Sequence, residues 1–291
     1  MHFQEYQRKA MATRRPDTAE ADRSEAHLLG LVAGAAAVAS EHHRCRRDGR
    51  RGWSKVRLRE EIGDALWYLA ALAEDYQLDL ADVAAANLDK VARRWLPTVD
   101  WHSFDAHLPG SEQLPREIVY EFHTHRRPDD IPITRVYWDS AQIGDPLSDA
   151  CRNPDGYRLH DVFHLSYAAL LGWSPVTRAL LHHKRRSDPA LDENEDGGRA
   201  IAIEEGLTAR IFSYAATRNY LRDAHYIDGA LLSAITADVG QLEVGIRTSA
   251  DWEATILTGF RMWNALYDHH GSGIICADLD TRTMAFHSLD Q

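Results

Sequence analysis

Apolar residues recur at three- and four-residue intervals through most of the chain, the spacing that places side chains on one face of an α-helix. The clearest example is Glu60–Tyr76, where this spacing predicts a helix with a single buried stripe. The predicted stripe consists of Ile62, Leu66, Leu69, Leu72 and Ala73. The same period predicts helices over residues 1–14, Glu25–His43 and Leu80–Trp95. Four such helices would form a small up-and-down bundle, which we expect to associate as a homo-oligomer, either a dimer or a tetramer.

The pattern changes after the bundle. Residues 98–115 contain Pro, Gly, Asp and His without periodicity, so we predict a linker there and a domain boundary between residues 107 and 108. Ile118–Phe122 and Thr134–Trp138 are short β-branched and aromatic runs that predict a hairpin, followed by a loop over residues 142–155. Helices are predicted over Tyr157–Leu171, Pro175–Lys184, Gly198–Leu221, Ala230–Val244 and Asp251–Tyr267.

These elements predict a mainly α protein with two domains. Residues 1–107 would form a helical bundle, and residues 108–291 a mostly α-helical domain with a small β-hairpin. A chain of 291 residues is long enough for two compact cores. No apolar run approaches the roughly 20 residues of a membrane span, and the first residues lack the apolar centre of a signal peptide. We therefore expect a soluble, cytoplasmic protein without a membrane partner.

Charge and cysteine content narrow the classes of function. The formal net charge of −11 makes nucleic acid an unlikely partner, because such binding depends on Lys and Arg contacts to phosphates. Residues 42–59 are nevertheless strongly basic, and are either an arm that contacts a polyphosphate or nucleic acid through Trp53, or a solvated loop. The three cysteines are odd in number and widely spaced, so no disulfide framework is predicted.

An acidic patch lies on the predicted helix over Glu60–Tyr76. Glu61 and Asp64 are three residues apart, and Glu60 is four from Asp64, so these carboxylates share one face. Such like charges repel unless a cation neutralises them, as Mg²⁺ or Mn²⁺ does when it is coordinated by carboxylates and substrate phosphates. The alternative is a solvated acidic first turn that favours the helix dipole.

A second group of ionisable residues lies in the predicted C-terminal domain. His160 and His164 are four residues apart on one helical face beside Asp161, a spacing that suits a transition metal. Glu204 and Glu205 interrupt an apolar helical pattern, so they need partners, and the histidine helix is the expected one. We predict that all five are catalytic and that His160 and His164 bind a metal. The alternative is a buried ion-paired network that fixes helix packing.

Basic residues follow the histidines along the chain. Lys184 and Arg185 would offset charge on transferring phosphate oxygens, which assigns them to substrate binding. They would alternatively be cations at the C-terminus of a helix, where they favour the dipole.

The first hundred residues, roughly, resemble the MazG-like nucleoside triphosphate pyrophosphohydrolase domain. The matching positions are Glu61-x-x-Asp64, Leu66-Trp67-Tyr68-Leu69, Asn87, Lys90 and Arg94-Trp95. The resemblance implies cleavage of a nucleoside triphosphate to the monophosphate and pyrophosphate. It also implies that Glu61 and Asp64 bind Mg²⁺ or Mn²⁺. Substrate binding is then expected from Trp67, Asn87, Lys90 and Arg94.

The chain departs from this family pattern at its metal site. Gly34 and Ala37 stand where the family has two glutamates, and Leu58 stands where it has a lysine. Glu41, one turn further along, is the available substitute. The resemblance therefore implies either a weakened pyrophosphohydrolase site or a different set of ligands.

The C-terminal half resembles a helical domain that follows MazG-like domains in other proteins. The matching segments are Tyr157-Arg158-x-His160-Asp161-x-Phe163-His164 and Ile203-Glu204-Glu205-Gly206. The histidine–aspartate doublet is also similar to HD-type phosphohydrolases. Three functions follow as hypotheses: a MazG-related pyrophosphohydrolase, a metal-dependent phosphohydrolase centred on His160 and His164, or a catalytically inert nucleotide-binding regulator.

Overall fold

The structure is a computed structural model that describes residues 1–14, 20–47 and 55–289. The centre of the predicted basic segment, residues 48–54 with Trp53, lies outside these residues, as does the side chain of Glu41. Packing divides the chain into two compact units, Met1–Ala92 and Arg93–Gln291. The predicted fold class is confirmed, since the chain is mainly α-helical with a small antiparallel sheet.

The first unit is built from helices, as predicted. They are α1 Phe3–Met11, α2 Glu20–Arg47, α3 Lys55–Asp75 and α4 Leu80–Trp95, whose last residues belong to the second unit. The buried cluster is small and consists of Ala10, Ala70, Ala73 and Leu80, with Tyr6, Met11 and Trp67 packed against it.

The predicted buried stripe of α3 is confirmed at Ala73 and wrong at Ile62 and Leu69. Ile62 and Leu69 are 54% and 43% exposed, and the buried residues of α3 are Ala70, Ala71 and Ala73. Small residues also line the contact between α2 and α3. A Cβ atom at Gly30 would lie 2.2 Å from the ring of Tyr68, so any side chain at this position requires the ring to move. The two helices thus approach through their smallest side chains, which a count of large apolar residues overlooks.

The second unit contains six helices within the described residues. They are α5 Asp161–Leu171, α6 Pro175–Leu180, α7 Pro189–Asn194, α8 Gly198–Ala216, α9 Gly229–Asp238 and α10 Ser249–Asp268. Three predicted helices end early: the one predicted to Lys184 ends at Leu180, the one predicted to Leu221 ends at Ala216, and the one predicted to Val244 ends at Asp238. Residues 219–221 have positive φ angles of 49° to 56°, which ends the helical path. Helix α7 was not predicted.

The sheet is larger than the predicted hairpin. Its strands are β1 Glu117–Arg126, β2 Pro132–Trp138, β3 Ala141–Leu147, β4 Gly273–Asp278 and β5 Thr283–His287, all antiparallel in the order β3-β2-β1-β4-β5. The hairpin itself is confirmed by the pairing of Phe122 with Val136. The predicted loop over residues 142–155 is wrong at its start, because β3 occupies that position. This strand contains Gly144 and Pro146, and because both residue types are rare in strands, residue propensities do not predict it.

One core organises the second unit. Trp173, Trp252 and Trp263 are fully buried in it, and α5 packs against both α10 and strand β4. Every residue of α5 except Leu170 is buried, so polar side chains on this helix face protein on all sides. The N-terminus of α5 is therefore held rigidly by its surroundings.

Residues 98–107 form part of this unit, although the sequence predicted a linker there. Phe104 and Asp105 are buried, and Asp105 Oδ2 lies 2.7 Å from Nη2 of the buried Arg178. Packing divides the chain between Ala92 and Arg93, whereas the domain boundary between residues 107 and 108 stays a prediction. In the described part of the chain, no helix has the length and apolarity needed to cross a membrane.

Candidate functional site

The two predicted histidines meet at the N-terminus of α5. Gly156 has a left-handed φ of 88°, and the turn Tyr157–Leu159 then leads directly into His160 and the helix. His160, Asp161 and His164 each offer a ligand atom, and these atoms lie within 4.8 Å of one another. The four-residue spacing thus brings the three side chains together as expected.

His160 is oriented by the turn that precedes it. Its ring stacks on Tyr157 with centroids 4.6 Å apart, and Nδ1 lies 3.0 Å from the carbonyl oxygen of Tyr157. Because Nδ1 donates to this carbonyl, Nε2 is left free, and it lies 3.7 Å from Asp161 Oδ1. Burial and the neighbouring His164 lower the pKa of His160, which favours the neutral form that binds metals.

His164 is completely buried and is held from one side only. Its Nδ1 donates to Glu204 Oε1 at 2.8 Å. Its Nε2 is buried without a hydrogen-bond partner in the described residues, and Glu205 Oε1 lies 3.6 Å away. Burial lowers the pKa of His164, but the charge and hydrogen bond of Glu204 outweigh it and raise the pKa to about 10. Without a metal, Nε2 therefore carries a proton that has no hydrogen-bond acceptor among the described residues, and a metal that binds there must displace this proton.

Glu204 lies behind His164 and is also completely buried. Its carboxylate accepts hydrogen bonds from His164 Nδ1, from Ser174 Oγ at 2.6 Å and from the Val176 backbone N–H at 2.8 Å. Because this carboxylate already accepts hydrogen bonds from three donors, Glu204 orients His164 and does not face a substrate. Glu205, by contrast, has a side chain that is 44% exposed, and the adjacent His164 lowers its pKa.

Two residues of this environment were not predicted. Ser174 caps α6, where its Oγ accepts from the Thr177 backbone N–H, so the Ser-Pro start of this helix was the available signal. Tyr120 on β1 has a buried hydroxyl without a partner in the described residues, and burial and the Asp161 charge raise its pKa. Its sequence context is that of an ordinary core strand, which gave no signal.

These donors fit a transition metal. The residues that would hold it are His160 and His164 through Nε2, together with the carboxylates of Asp161 and Glu205. Such mixed imidazole and carboxylate sets bind Zn²⁺, Mn²⁺ or Fe²⁺. The partnerless Nε2 of His164 and the hydrogen-bonded Nδ1 of both rings are the observations that support this fit.

The predicted acidic patch of α3 is organised differently. Glu61 is half-buried and Asp64 is exposed, and neither carboxylate forms a hydrogen bond or ion pair with a described residue. Among those residues no third ligand joins the pair. Gly34 is buried, and a Cβ atom built on it would lie 3.7 Å from Ala65, so this position faces α3 beside Asp64 but supplies no carboxylate. Mg²⁺ is usually bound through one or two carboxylates together with substrate phosphates and water, so this pair is enough for such a site.

The predicted substrate-binding residues of the first hundred residues are mostly exposed. Asn87, Lys90 and Arg94 are exposed on α4. Trp67 is partly buried, and its indole N–H donates to Ala10 O at 3.2 Å and Thr13 Oγ1 at 3.0 Å. Its indole nitrogen is thus already used in packing α3 against α1.

Lys184 and Arg185 are held in a structural network. Arg185 is completely buried, with Nη2 2.8 Å from Asp196 Oδ1 and 2.7 Å from Glu243 Oε1. Lys184 Nζ donates to the backbone oxygen of Asp196 at 2.8 Å. Arg185 cannot contact a phosphate without losing these ion pairs, so its predicted role in substrate binding has no support in the geometry.

Comparison with known families agrees with this organisation. Residues 36–97 match the family described as the MazG nucleotide pyrophosphohydrolase domain, and residues 99–290 match the MazG C-terminal domain. No curated protein and no solved structure matches the chain. Because the second match alone covers more than half of the sequence, the chain belongs to the MazG-like family.

Proposed function

We propose that the chain is a metal-dependent hydrolase that cleaves a nucleoside triphosphate to the monophosphate and pyrophosphate. The observation that supports this most directly is the match of residues 36–97 to the MazG nucleotide pyrophosphohydrolase domain. Within this range Glu61 and Asp64 share one face of α3, and neither carboxylate has a hydrogen-bond or ion-pair partner among the described residues.

Each residue has a role in this proposal. Glu61 and Asp64 would hold Mg²⁺ or Mn²⁺, which offsets phosphate charge and lowers the pKa of bound water. Asn87, Lys90 and Arg94 are three and four residues apart on α4, so they share one exposed face that suits a triphosphate. Because Gly34 and Ala37 supply no further carboxylates, we expect this site to bind its metal weakly.

A turnover screen tests this proposal. Canonical and modified nucleoside triphosphates are supplied with Mg²⁺ or Mn²⁺, and release of pyrophosphate is resolved from release of phosphate. Glu61→Ala is expected to lower pyrophosphate release by about 100-fold or more, because a metal ligand is lost. Asp89→Asn, which changes an exposed carboxylate of α4 outside the acidic patch, is the matched control and is expected to retain activity.

Other outcomes of the screen would contradict this proposal. Pyrophosphate release that survives Glu61→Ala would exclude the acidic patch as the site. Nucleotide binding without release of either product would instead favour a catalytically inert nucleotide-binding regulator.

A second candidate is hydrolysis of a phosphoester at the histidine centre of α5. The specific observation in its favour is the buried, partnerless Nε2 of His164 beside His160, Asp161 and Glu205. A metal bound there would act as a Lewis acid toward a phosphoryl oxygen. The chain itself would orient His160 through Tyr157 and His164 through Glu204.

Metal analysis separates this candidate from the first. We expect purified protein to carry a transition metal that is lost in His160→Ala and retained in His123→Ala, a change to an exposed histidine of β1. Phosphate release that requires His160 but not Glu61 would select this centre. Wild-type protein that takes up no Zn²⁺, Mn²⁺ or Fe²⁺ would contradict it.

We also infer that the first unit pairs with a second copy of the chain. Its buried cluster is small, while Leu29, Val32 and Leu88 are 61%, 59% and 67% exposed. Contiguous exposed apolar side chains mark association surfaces, and we infer that these three contribute to one. Light scattering after gel filtration should show a dimer or a tetramer that Leu29→Lys weakens; a monomeric wild type would contradict the inference.

A further inference from the structure

A cavity of about 420 Å³ lies in the second unit, and none of the proposed metal ligands lines it. Its volume is within the range of small-molecule sites, which is about 300–1,000 Å³. The side chains that line it include Thr124, His125, Arg126, Arg158, Tyr267 and His270. Two arginines and two histidines thus face one space, and no carboxylate is among its lining residues.

Arg158 is the buried member of this group, with only 8% of its surface exposed. Its Nη1 donates to both carboxylate oxygens of Asp149, at 3.1 and 3.2 Å. Its Nε is buried without a hydrogen-bond partner, and Nη2 forms no hydrogen bond with a described residue. A guanidinium has five N–H donors, so most of those of Arg158 are unused.

The backbone beside Arg158 keeps this space open. Gly271 has a left-handed φ of 81°, and a Cβ atom there would lie 3.3 Å from Arg158 Nη2 and 2.5 Å from Thr124 Oγ1. Thr124 Oγ1 in turn donates to the carbonyl of Gly271 at 2.7 Å, which fixes this wall. A side chain at position 271 would occupy the space next to the free guanidinium nitrogen.

The rim of the cavity adds mobile positive charge. Arg126 pairs with Asp130 at 3.0 Å, but their side chains are 65% and 82% exposed. Because such exposed pairs are weak, Arg126 is free to turn toward an anion. His125 lies beside Arg135, with 2.8 Å between its Nε2 and Arg135 Nη1, which adds a further cation near the rim.

One wall is flat and aromatic. Tyr267 is 41% exposed, and its inner side stacks on the buried Trp263 with ring centroids 4.9 Å apart. An aromatic ring held in this way offers a rigid face to a planar group of a ligand.

We propose that this cavity binds a small phosphate-bearing molecule, with Arg158 as the buried anchor. Arginine suits this role because its planar fork matches phosphate oxygens in pairs. Asp149 holds the guanidinium through Nη1 and leaves Nη2 for the ligand. Arg126 closes on the outer oxygens, and Tyr267 contacts the planar part of the ligand.

Calorimetric titration of the full chain tests this proposal. The probes are inorganic pyrophosphate and adenosine monophosphate, with acetate as a control anion, in buffer freed of metals by a chelating resin. Saturable binding of both phosphate probes, and none of acetate, is expected. Metal-free conditions prevent hydrolysis, and Glu61→Ala and His160→Ala are expected to bind as wild type does. Failure of either catalytic proposal is thus distinguishable from failure of this one.

Matched variants locate the site. Arg158→Lys keeps the charge that pairs with Asp149 but loses the fork, and should weaken binding about 10-fold. Arg126→Ala should weaken it about 2- to 5-fold, whereas Arg127→Ala, which removes the neighbouring exposed arginine that does not line the cavity, should not. Thermal melts confirm that each variant is folded. Absence of saturable binding by wild type, equal binding of acetate, or unchanged binding in both Arg158→Lys and Arg126→Ala would overturn the proposal.

Discussion

The acidic patch of α3 and the histidine centre of α5 are two candidate sites with opposite construction. Glu61 and Asp64 stand on the surface of a helix without partners among the described residues. His160 and His164 each have one ring nitrogen fixed by the protein and the other directed to a shared space. The histidine centre is therefore organised before any ligand arrives, whereas the patch needs a metal and a substrate to define it.

The cores beneath the two sites explain this difference. The buried cluster of the first unit consists mainly of alanines. Few large side chains therefore pack around the surface residues of its helices and restrict their conformations. The second unit buries three tryptophans around α5 and α10. A side chain on a helix that is buried on nearly all sides has few rotamers left, and its geometry is correspondingly fixed.

The largest expected effect comes from Glu204. Glu204→Ala leaves His164, Ser174 and the Val176 N–H without their shared acceptor, so the free energy of unfolding should fall by about 3–5 kcal/mol. Urea unfolding followed by tryptophan fluorescence measures this change. Glu61→Ala is the counterpart at the exposed site and should change stability by no more than about 0.5 kcal/mol. Equal effects of the two changes would refute the contrast drawn between the sites.

A smaller effect is expected at the contact of α2 with α3. Gly30→Ala places a methyl group within the ring of Tyr68, which should destabilise the first unit by about 1–3 kcal/mol. Unfolding of this unit can be followed by circular dichroism at the helical band. Tyr68→Ala in the same chain should recover part of the loss, since it removes the clashing ring. If Gly30→Ala is neutral on its own, the contact is looser than its geometry indicates.

A pH dependence is expected in the buried network that flanks the histidine centre. Burial raises the pKa of Asp105, but hydrogen bonds from Ser103 and the Leu114 N–H and the charge of Arg178 lower it to about 2. Because this pKa lies below the unfolded value of about 3.9, the ionised carboxylate stabilises the fold above that value. The contribution, about 2 kcal/mol, is lost as the pH falls toward about 2.

Comparison with Asp105→Asn isolates this contribution. The difference in unfolding free energy between wild type and variant should shrink by about 2 kcal/mol between about pH 6 and about pH 2. Urea unfolding at several pH values measures it. A difference that stays constant over this range would show that the pKa of Asp105 is the same in the folded and the unfolded protein.

The smallest expected effect is a gain in stability. Gly63 lies in the middle of α3 beside Asp64, and a Cβ atom there would meet nothing within 4 Å. Gly63→Ala should therefore stabilise the helix by about 0.5–1 kcal/mol, because alanine loses less backbone entropy. It is also the matched control for Gly30→Ala, since both add one methyl group to a helix of the same unit. A loss of stability would show that the surface of α3 is in contact with something else.

Local spacing was sufficient to predict part of the histidine centre. His160 and His164 could be paired because residues four apart share a helical face, and the need of a buried Glu204 for a partner pointed to them. Ser174 and Tyr120 could not be identified, because a helix cap and a core tyrosine have the same local sequence whether or not a site lies nearby. Their importance depends on contacts between segments far apart in the chain.

The same limit applies to the fold. The hairpin of β1 and β2 is local and was predicted, whereas β4 pairs with β1 from a distance, as Phe122 does with Gly273. The amphipathic pattern of α3 predicts that Ile62 and Leu69 are buried, but both side chains are exposed. Periodicity identifies a helix, but it does not identify which of its faces meets a neighbour.

The position of β1 in the sheet bears on how the second unit is made in the cell. Strand β1 lies between β2, which follows it at once, and β4, whose residues are synthesised about 150 positions later. Helix α5 packs on β4 and β5, so a nascent chain carries His160 and His164 long before the sheet beneath them is complete. The ribosome must therefore synthesise β4 and β5 before the histidine centre acquires its final surroundings.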